Sequence, residues 1–236
     1  MKVIKKLTAV LLSTLLLLSA SVVAGSAITI TENGKEYILN SRTPTMGDCN
    51  VLMVRVGFAD YPIDDEEYPA DSEETLLSYF DGSEDSVNYF YEVSSYGKLR
   101  LHCDKVYSYT ARYNREDYDS DYGIYTPEDL VEETLLALKK EIDFEKYDSN
   151  KDGHLDFVSF DFSGPKTEHG STWWPHVHTS WKEDVAKEDV IVGDKHISTY
   201  SFLKGKSSTF IHEFGHIRLP RKLTLSFKIN DSTDKI

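Results

Sequence analysis

The sequence predicts an α+β domain built in layers. Two observations carry that prediction. Strand-like and helix-like segments follow one another in the order strand, helix, strand, helix, strand, which suits a layered α+β domain better than a sandwich. Hydrophobic residues make up 40% of the 236 residues against 28% charged, so the chain can bury a core and is not a disordered polymer.

Residues 28–46 read as a short extended leader with a turn at Asn33-Gly34. Val51 to Phe58 is rich in β-branched residues and predicts a buried strand. The stretch from Asp60 to Glu74 is acidic and holds Pro62 and Pro69, which predicts a surface loop with Asp64-Asp65-Glu66-Glu67 solvated. Leu76 to Phe80 can start a helix. Ser86 to Val93 suits a second helix that turns aromatics toward a core. Gly97 then leads into Lys98–Tyr109, whose alternation predicts the second strand. Asp117 to Gly123 predicts an acidic loop with its tyrosines, Tyr118 and Tyr122, in hydrated surroundings. Thr126-Pro127-Glu128-Asp129 is a strong helix start, with proline at the first position and acids in the first turn. That helix should run to about Ile142, with Leu130, Thr134, Leu135 and Leu138 on one face. Asp156 to Phe162 predicts the third strand.

Composition removes several function classes. The net charge of -14 argues against nucleic acid as a partner, since phosphate binding needs a basic surface. Two cysteines cannot build a four-cysteine zinc site or a disulfide-dense scaffold. A mean hydropathy of -0.42 excludes a polytopic membrane protein.

Residues 1–27 have the three parts of a signal peptide. Lys2, Lys5 and Lys6 form a basic start, Leu7 to Leu18 an apolar run, and Val22-x-Ala24 and Gly25-x-Ala27 both offer a small-x-small cleavage site. The apolar run is short for a span of about 20 residues, so secretion is expected, with no membrane contact after cleavage. In an extracellular setting Cys49 and Cys103 are compatible with a disulfide and equally with two buried thiols.

Two motifs carry chemistry. His212-Glu213-Phe214-Gly215-His216 matches H-E-x-x-H. On a helix, residues four apart share a face, so His212 and His216 can ligate one Zn²⁺. Glu213 projects beside them as general base toward a water that the metal acidifies to a pKa of roughly 7. Ser207, Ser208 and Thr209 are candidate caps for this helix. The second motif is Asp148-Ser149-Asn150-Lys151-Asp152-Gly153-His154-Leu155-Asp156. Asp148, Asn150, Asp152 and Asp156 stand at oxygen-ligand positions of a calcium loop, His154 offers its backbone carbonyl, and Gly153 makes the turn. Ser159 stands where an EF-hand carries its last glutamate, so a structural Ca²⁺ loop is expected rather than an EF-hand.

Taken in order, these pieces resemble the secreted M6 metalloproteases, the immune inhibitor A type. The resemblance rests on Val51–Phe58 with Ala59-Asp60-Tyr61-Pro62, on the block Ser86 to Leu99, on Phe144 to Asp156, on Trp174-Pro175-His176, and on His212–His216, roughly residues 48–216. It implies a zincin-like domain over residues 47–220, with a twisted mixed sheet and an active-site helix. It implies Zn²⁺ on His212 and His216, Glu213 as catalytic base, Ca²⁺ on the Asp148 loop, and a protein or peptide substrate outside the cell.

The family pattern breaks after His216. The family continues H-x-L-G-L-P-D, whereas this chain reads His216-Ile217-Arg218-Leu219-Pro220-Arg221. The third zinc ligand is therefore unassigned, with Asp231 and Asp234 the nearest later candidates, and residues 221–236 match nothing. The chain then reads as a zincin-like domain with its carboxy-terminal part missing: a truncated or frame-shifted copy of a longer protease, an incomplete gene, or a short form that binds without hydrolysing. The alternative function is a non-catalytic, calcium-stabilised extracellular binding protein on a degenerate protease scaffold. Trp173, Trp174, His176, His178 and Trp181 cluster in one stretch, and are expected to form an edge strand lining the cleft rather than a second metal site.

Overall fold

The computed structural model of the chain describes residues 28–32, 35–39, 43–179 and 190–218. The signal-peptide segment, Asn33-Gly34, Trp181, Arg221, Asp231 and Asp234 lie outside the described residues.

The leader forms a hairpin, β1 (Ile28–Glu32) against β2 (Lys35–Leu39), in antiparallel register. The domain proper is a six-stranded mixed sheet. Its centre is β3 (Gly47–Gly57), four residues longer at its start than the apolar run predicts. On one side β3 pairs in parallel with β6 (Phe157–Phe162), and β6 in parallel with β10 (Thr199–Leu203). The edge is β7 (His176–Thr179), antiparallel to β10. A small hairpin, β8 (Val190–Val192) and β9 (Lys195–Ile197), precedes β10.

The predicted single strand Lys98–Tyr109 is two strands, β4 (Leu99–His102) and β5 (Val106–Thr110). Both run parallel to β3. β4 pairs with Gly47–Asn50 and β5 with Met53–Gly57, and the register shifts by one residue between them. Cys103-Asp104-Lys105 absorbs that shift. Lys146 draws Asp104 outward, with Nζ 2.8 Å from Oδ1. Alternation in the sequence runs through such a break without marking it.

The sheet is covered on both faces, which is why β3 reads as a continuous apolar run. Leu52, Val54 and Val56 face a core shared with Val158, Phe160, Phe162 and Phe202. That face is closed by α3 (Pro127–Leu138) through Leu130, Val131, Leu135 and Leu138. The α3 start is as predicted: Thr126 accepts from the Asp129 N–H and Asp129 accepts from the Thr126 N–H, a reciprocal cap. The helix ends at Leu138, short of Ile142. Val51 and Met53 face the opposite core, with Leu99, Leu101, Val106 and Phe157. Three helices cover it: α1 (Glu73–Ser78), α2 (Val87–Ser94) and α4 (Ser207–Arg218). Ser86 caps α2, accepting from the Tyr89 N–H at 3.3 Å.

Tyr118 departs from its expectation. Although flanked by Asp117 and Asp119, it is only 1% exposed, and its hydroxyl donates to Glu133 Oε2 at 2.8 Å. A 3₁₀ turn over Arg115–Tyr118 swings the ring inward against Phe58. Tyr122, four residues on, is 91% exposed as expected.

One buried carboxyl makes stability pH-dependent. Asp161 on β6 is pushed up to about 7 by burial first and by the neighbouring Asp71 carboxylate second, against the pull of the Asp71 N–H, Lys204 and Arg55. The folded state therefore holds this proton more tightly than the unfolded chain. The stabilisation is complete below the ordinary value of 3.8 and is lost as pH rises through 7. The loss is a few kcal/mol, on the order of 4. Asp161→Asn should gain stability relative to the parent between pH 5 and pH 8 in urea melts. A difference that stays constant with pH would refute this assignment.

Candidate active site

The H-E-x-x-H segment lies on α4, which follows β10 directly. The linking Gly205 has φ +130°, a backbone conformation that side-chain-bearing residues rarely adopt, and its carbonyl accepts from the Tyr79 hydroxyl. α4 begins at Ser207, but that hydroxyl does not cap the helix. It donates to the Asp85 carbonyl at 3.1 Å and ties the helix start to the loop before α2.

The residues of α4 divide by helical period. Phe210, Phe214 and Ile217 are buried against the sheet. Phe214 meets Phe157 edge-on at 5.1 Å and Tyr91 at 4.9 Å. The Tyr91 hydroxyl donates to the Ile211 carbonyl at 2.6 Å, so α2 braces α4. This packing leaves His212 and His216 on the exposed side. Their Nε2 atoms are 3.0 Å apart, with the rings nearly perpendicular at 88°.

That separation fits a shared metal. Two nitrogens each about 2.0–2.1 Å from a tetrahedral zinc are about 3.3 Å apart. Imidazole pairs on one face with both Nε2 atoms converging are the donor chemistry that zinc takes. Among the described residues no group of three or more His, Cys, Asp or Glu side chains could hold a metal ion.

Glu213 lies between them in sequence and is 7% exposed. Burial raises its pKa, opposed by His212 and by the backbone N–H of Val177 on β7. His212, Glu213 and His216 line a cleft of about 1320 Å³ together with β7 and the start of α3. His176 and His178 lie in that cleft on β7, and Trp174 just before the strand lines it too, whereas Trp173 departs from the edge-strand expectation and is buried in the core against Phe58 and Phe162. The His176 Nδ1–H donates to the Trp174 carbonyl at 2.8 Å.

Sequence reasoning missed two further residues of this cleft. Glu128 is read there only as a helix-start acid, and Tyr200 is not singled out. The Tyr200 hydroxyl donates to Glu128 Oε1 at 3.0 Å, and the Tyr200 ring stacks on His178 at 5.0 Å. No local pattern marks this trio, because its members come from α3, β10 and β7.

The Asp148 loop adopts a tight turn, with Gly153 at φ +85°. Asp148 accepts from the Asp152 N–H through Oδ1 and the Gly153 N–H through Oδ2, and Asp152 from the His154 N–H. Asn150 Nδ2 donates to Asp152 Oδ2. Asp156 accepts from the N–H groups of Ser149 and Asn50, which pins the loop to β3. Sequence reading missed Lys195. Its Nζ on β9 is buried 2.8 Å from Asp148 Oδ2 and 3.0 Å from Glu145 Oε1. Burial raises the Asp148 pKa, but Lys195 and the two loop N–H groups outweigh it and hold the group below the ordinary range. The five loop residues sit in one turn, but their side chains do not form a group that could hold a metal ion, and the Lys195 ammonium already neutralises Asp148.

Cys49 and Cys103 are thiols in this structure. Burial pushes the Cys103 thiol up to about 12, so it carries no nucleophilic thiolate at neutral pH. No helix among the described residues is long and apolar enough to cross a membrane. No protein-family model matches this chain, and no curated protein matches it.

Proposed function

We propose that the chain is a secreted zinc-dependent endopeptidase on a zincin-like domain of the M6 type. The observation that carries the reading is the pair of converging Nε2 atoms, 3.0 Å apart, beside the buried Glu213 in a large cleft. The cleft exceeds the roughly 300–1,000 Å³ usual for small-molecule sites, and so suits a polymer chain. The mixed sheet and a histidine-bearing helix forming one wall of the cleft are also what the M6 resemblance implies.

In this reading His212 and His216 hold the zinc. When bound, the metal polarises the scissile carbonyl and acidifies a water. Glu213 takes the proton from the attacking water and passes it to the leaving amine. Among the described residues β7 pairs only with β10, so its other side offers main-chain groups to an extended peptide. Burial of α4 against Phe157 and Tyr91 keeps the histidines in place without help from substrate.

The test is metal content of the purified chain by elemental analysis. About one zinc per chain, lost in His212→Ala, is expected. No zinc above a chelator-treated control would refute the reading. A second reading is favoured by one observation, the lack of a third ligand among the described residues. It is a non-catalytic extracellular binding protein on the same scaffold. Zinc-dependent peptide cleavage would exclude it.

Calcium on the Asp148 loop belongs to both readings. The carboxylates of Asp148, Asp152 and Asp156, the Asn150 amide oxygen and the His154 carbonyl are hard oxygen donors of the kind Ca²⁺ takes. Lys195 competes for Asp148. Millimolar Ca²⁺ should raise Tm, and Lys195→Met should bind Ca²⁺ tighter than the parent. Identical melting with and without Ca²⁺ in both proteins would count against the loop as a calcium site.

A further inference from the structure

A chain of hydrogen bonds runs from the buried end of β6 to the start of α4. Asp161 on β6 is buried, and its Oδ2 accepts from the Asp71 N–H at 2.6 Å. Asp71 stands just before Ser72, the cap of α1, and Tyr79 closes that helix. The Tyr79 hydroxyl reaches two oxygens, Asp71 Oδ2 at 2.9 Å and the Gly205 carbonyl. Gly205 is the positive-φ link between β10 and α4.

A hydroxyl has one proton, and the carboxylate and the carbonyl are both acceptors. Burial first and the Asp71 carboxylate second push the Tyr79 hydroxyl well above its ordinary value, so it keeps that proton. The proton can hold only one of the two oxygens at full strength. Charge decides which. The groups that face Asp161 are Asp71 before α1, Lys204 after β10 and Arg55 on β3. Both cations are engaged elsewhere. Lys204 Nζ donates to the Phe162 carbonyl at 2.9 Å and to the Pro69 carbonyl, and Arg55 Nη2 pairs with the exposed Asp64 at 2.9 Å. Once Asp161 ionises, two carboxylates face each other in a buried cluster. The second charge makes Asp71 a stronger acceptor, so the Tyr79 proton turns to it. The Gly205 carbonyl then loses its donor.

We propose that Asp161, Asp71 and Tyr79 form a proton-operated catch on the Gly205 hinge, which latches α4 while Asp161 is protonated and loosens it when Asp161 ionises. Burial and the Asp71 carboxylate push Asp161 up to about 7, so the catch works near neutral pH. α4 carries His212, Glu213 and His216, and their placement on the cleft wall therefore follows pH. The loosening is partial, because Tyr91 and Ser207 hold α4 through separate bonds to the Ile211 and Asp85 carbonyls.

The experiment is hydrogen–deuterium exchange of the full chain from about pH 5 to about pH 9, with intrinsic exchange rates divided out. It compares the amides of Ile211 to Ile217 on α4 with those of Val131 to Leu138 on α3, which packs on the opposite face of the sheet. In the parent, α4 protection relative to α3 should fall by about 3–10-fold as pH rises through about 7, the net worth of one hydrogen bond. Asp161→Asn should keep the high value at every pH, and Tyr79→Phe the low one. A fall shared equally by α3 and α4 reports global stability alone and overturns the proposal. A fall that survives Asp161→Asn or Tyr79→Phe belongs to other groups, such as the α4 histidines, and overturns it too. Flat protection in the parent does the same. Should Asp161→Asn not fold, Tyr79→Phe decides alone. Neither zinc nor peptide cleavage enters the readout, so the catch stands or falls apart from the protease reading.

Discussion

Glu213→Gln is expected to lower the kcat for peptide hydrolysis by about 10²–10⁴-fold, the usual contribution of a positioned general base. The reasoning is local. Gln is close in shape to Glu, so the buried site keeps its packing. Gln cannot accept a proton from water. His212 and His216 are untouched, so zinc content should stay near the parent value. Folding should not suffer, since the exchange removes a charge from a site only 7% exposed. Three readings separate the causes of a lost rate: kcat, zinc per chain and Tm. A fall in kcat alone assigns Glu213 as the base. A fall in zinc with it would mean the change disturbed the ligands. An unchanged kcat in a zinc-loaded protein would remove Glu213 from the mechanism.

The parts of this protein legible in the sequence are those with local physical signatures. The α3 start was legible because Thr126, Pro127 and Asp129 each satisfy a constraint of the first helical turn, and the reciprocal cap is present. β3 was legible because burial on both faces demands a run that is apolar save for Arg55, whose head pairs with Asp64. The H-E-x-x-H spacing placed His212 and His216 on one face for the same periodic reason. What the sequence hid is set by long-range partners. The break between β4 and β5 follows from register against β3, and from Lys146 reaching across 42 positions to Asp104. Tyr118 looked hydrated because its neighbours in the chain are acids, yet its partner is Glu133 on α3. Lys195 entered the Asp148 loop from a hairpin 47 positions away. Glu128, Tyr200 and His178 meet only because the sheet brings β10 and β7 beside the start of α3. The α+β class and the meeting of His212 and His216 on one helix face were thus readable, and the rest of the cleft wall was not.

The largest stability effect is expected from Phe214→Ala, inside the H-E-x-x-H motif but at a position the metal chemistry leaves open. Phe214 is fully buried. Its ring sits between Phe157 on β6 and Tyr91 on α2, with Phe210 stacked at 6.0 Å. Truncating a buried phenylalanine costs about 3–5 kcal/mol, from lost transfer energy and the cavity left behind. In a domain of this size that lowers Tm by about 6–20 °C. Phe214→Leu, which keeps much of the apolar volume, should cost less. The consequence reaches function because the same helix carries both faces. His212 and His216 are exposed, and their 3.0 Å approach depends on how α4 docks through Phe210, Phe214 and Ile217. Loss of that anchor should therefore weaken zinc retention as well as stability, with no ligand changed. Urea melts and zinc content, measured on the same preparations, check both parts. A Phe214→Ala protein within 1 kcal/mol of the parent would mean that α4 is not docked through this ring, and that the histidine pair is positioned by something other than the core.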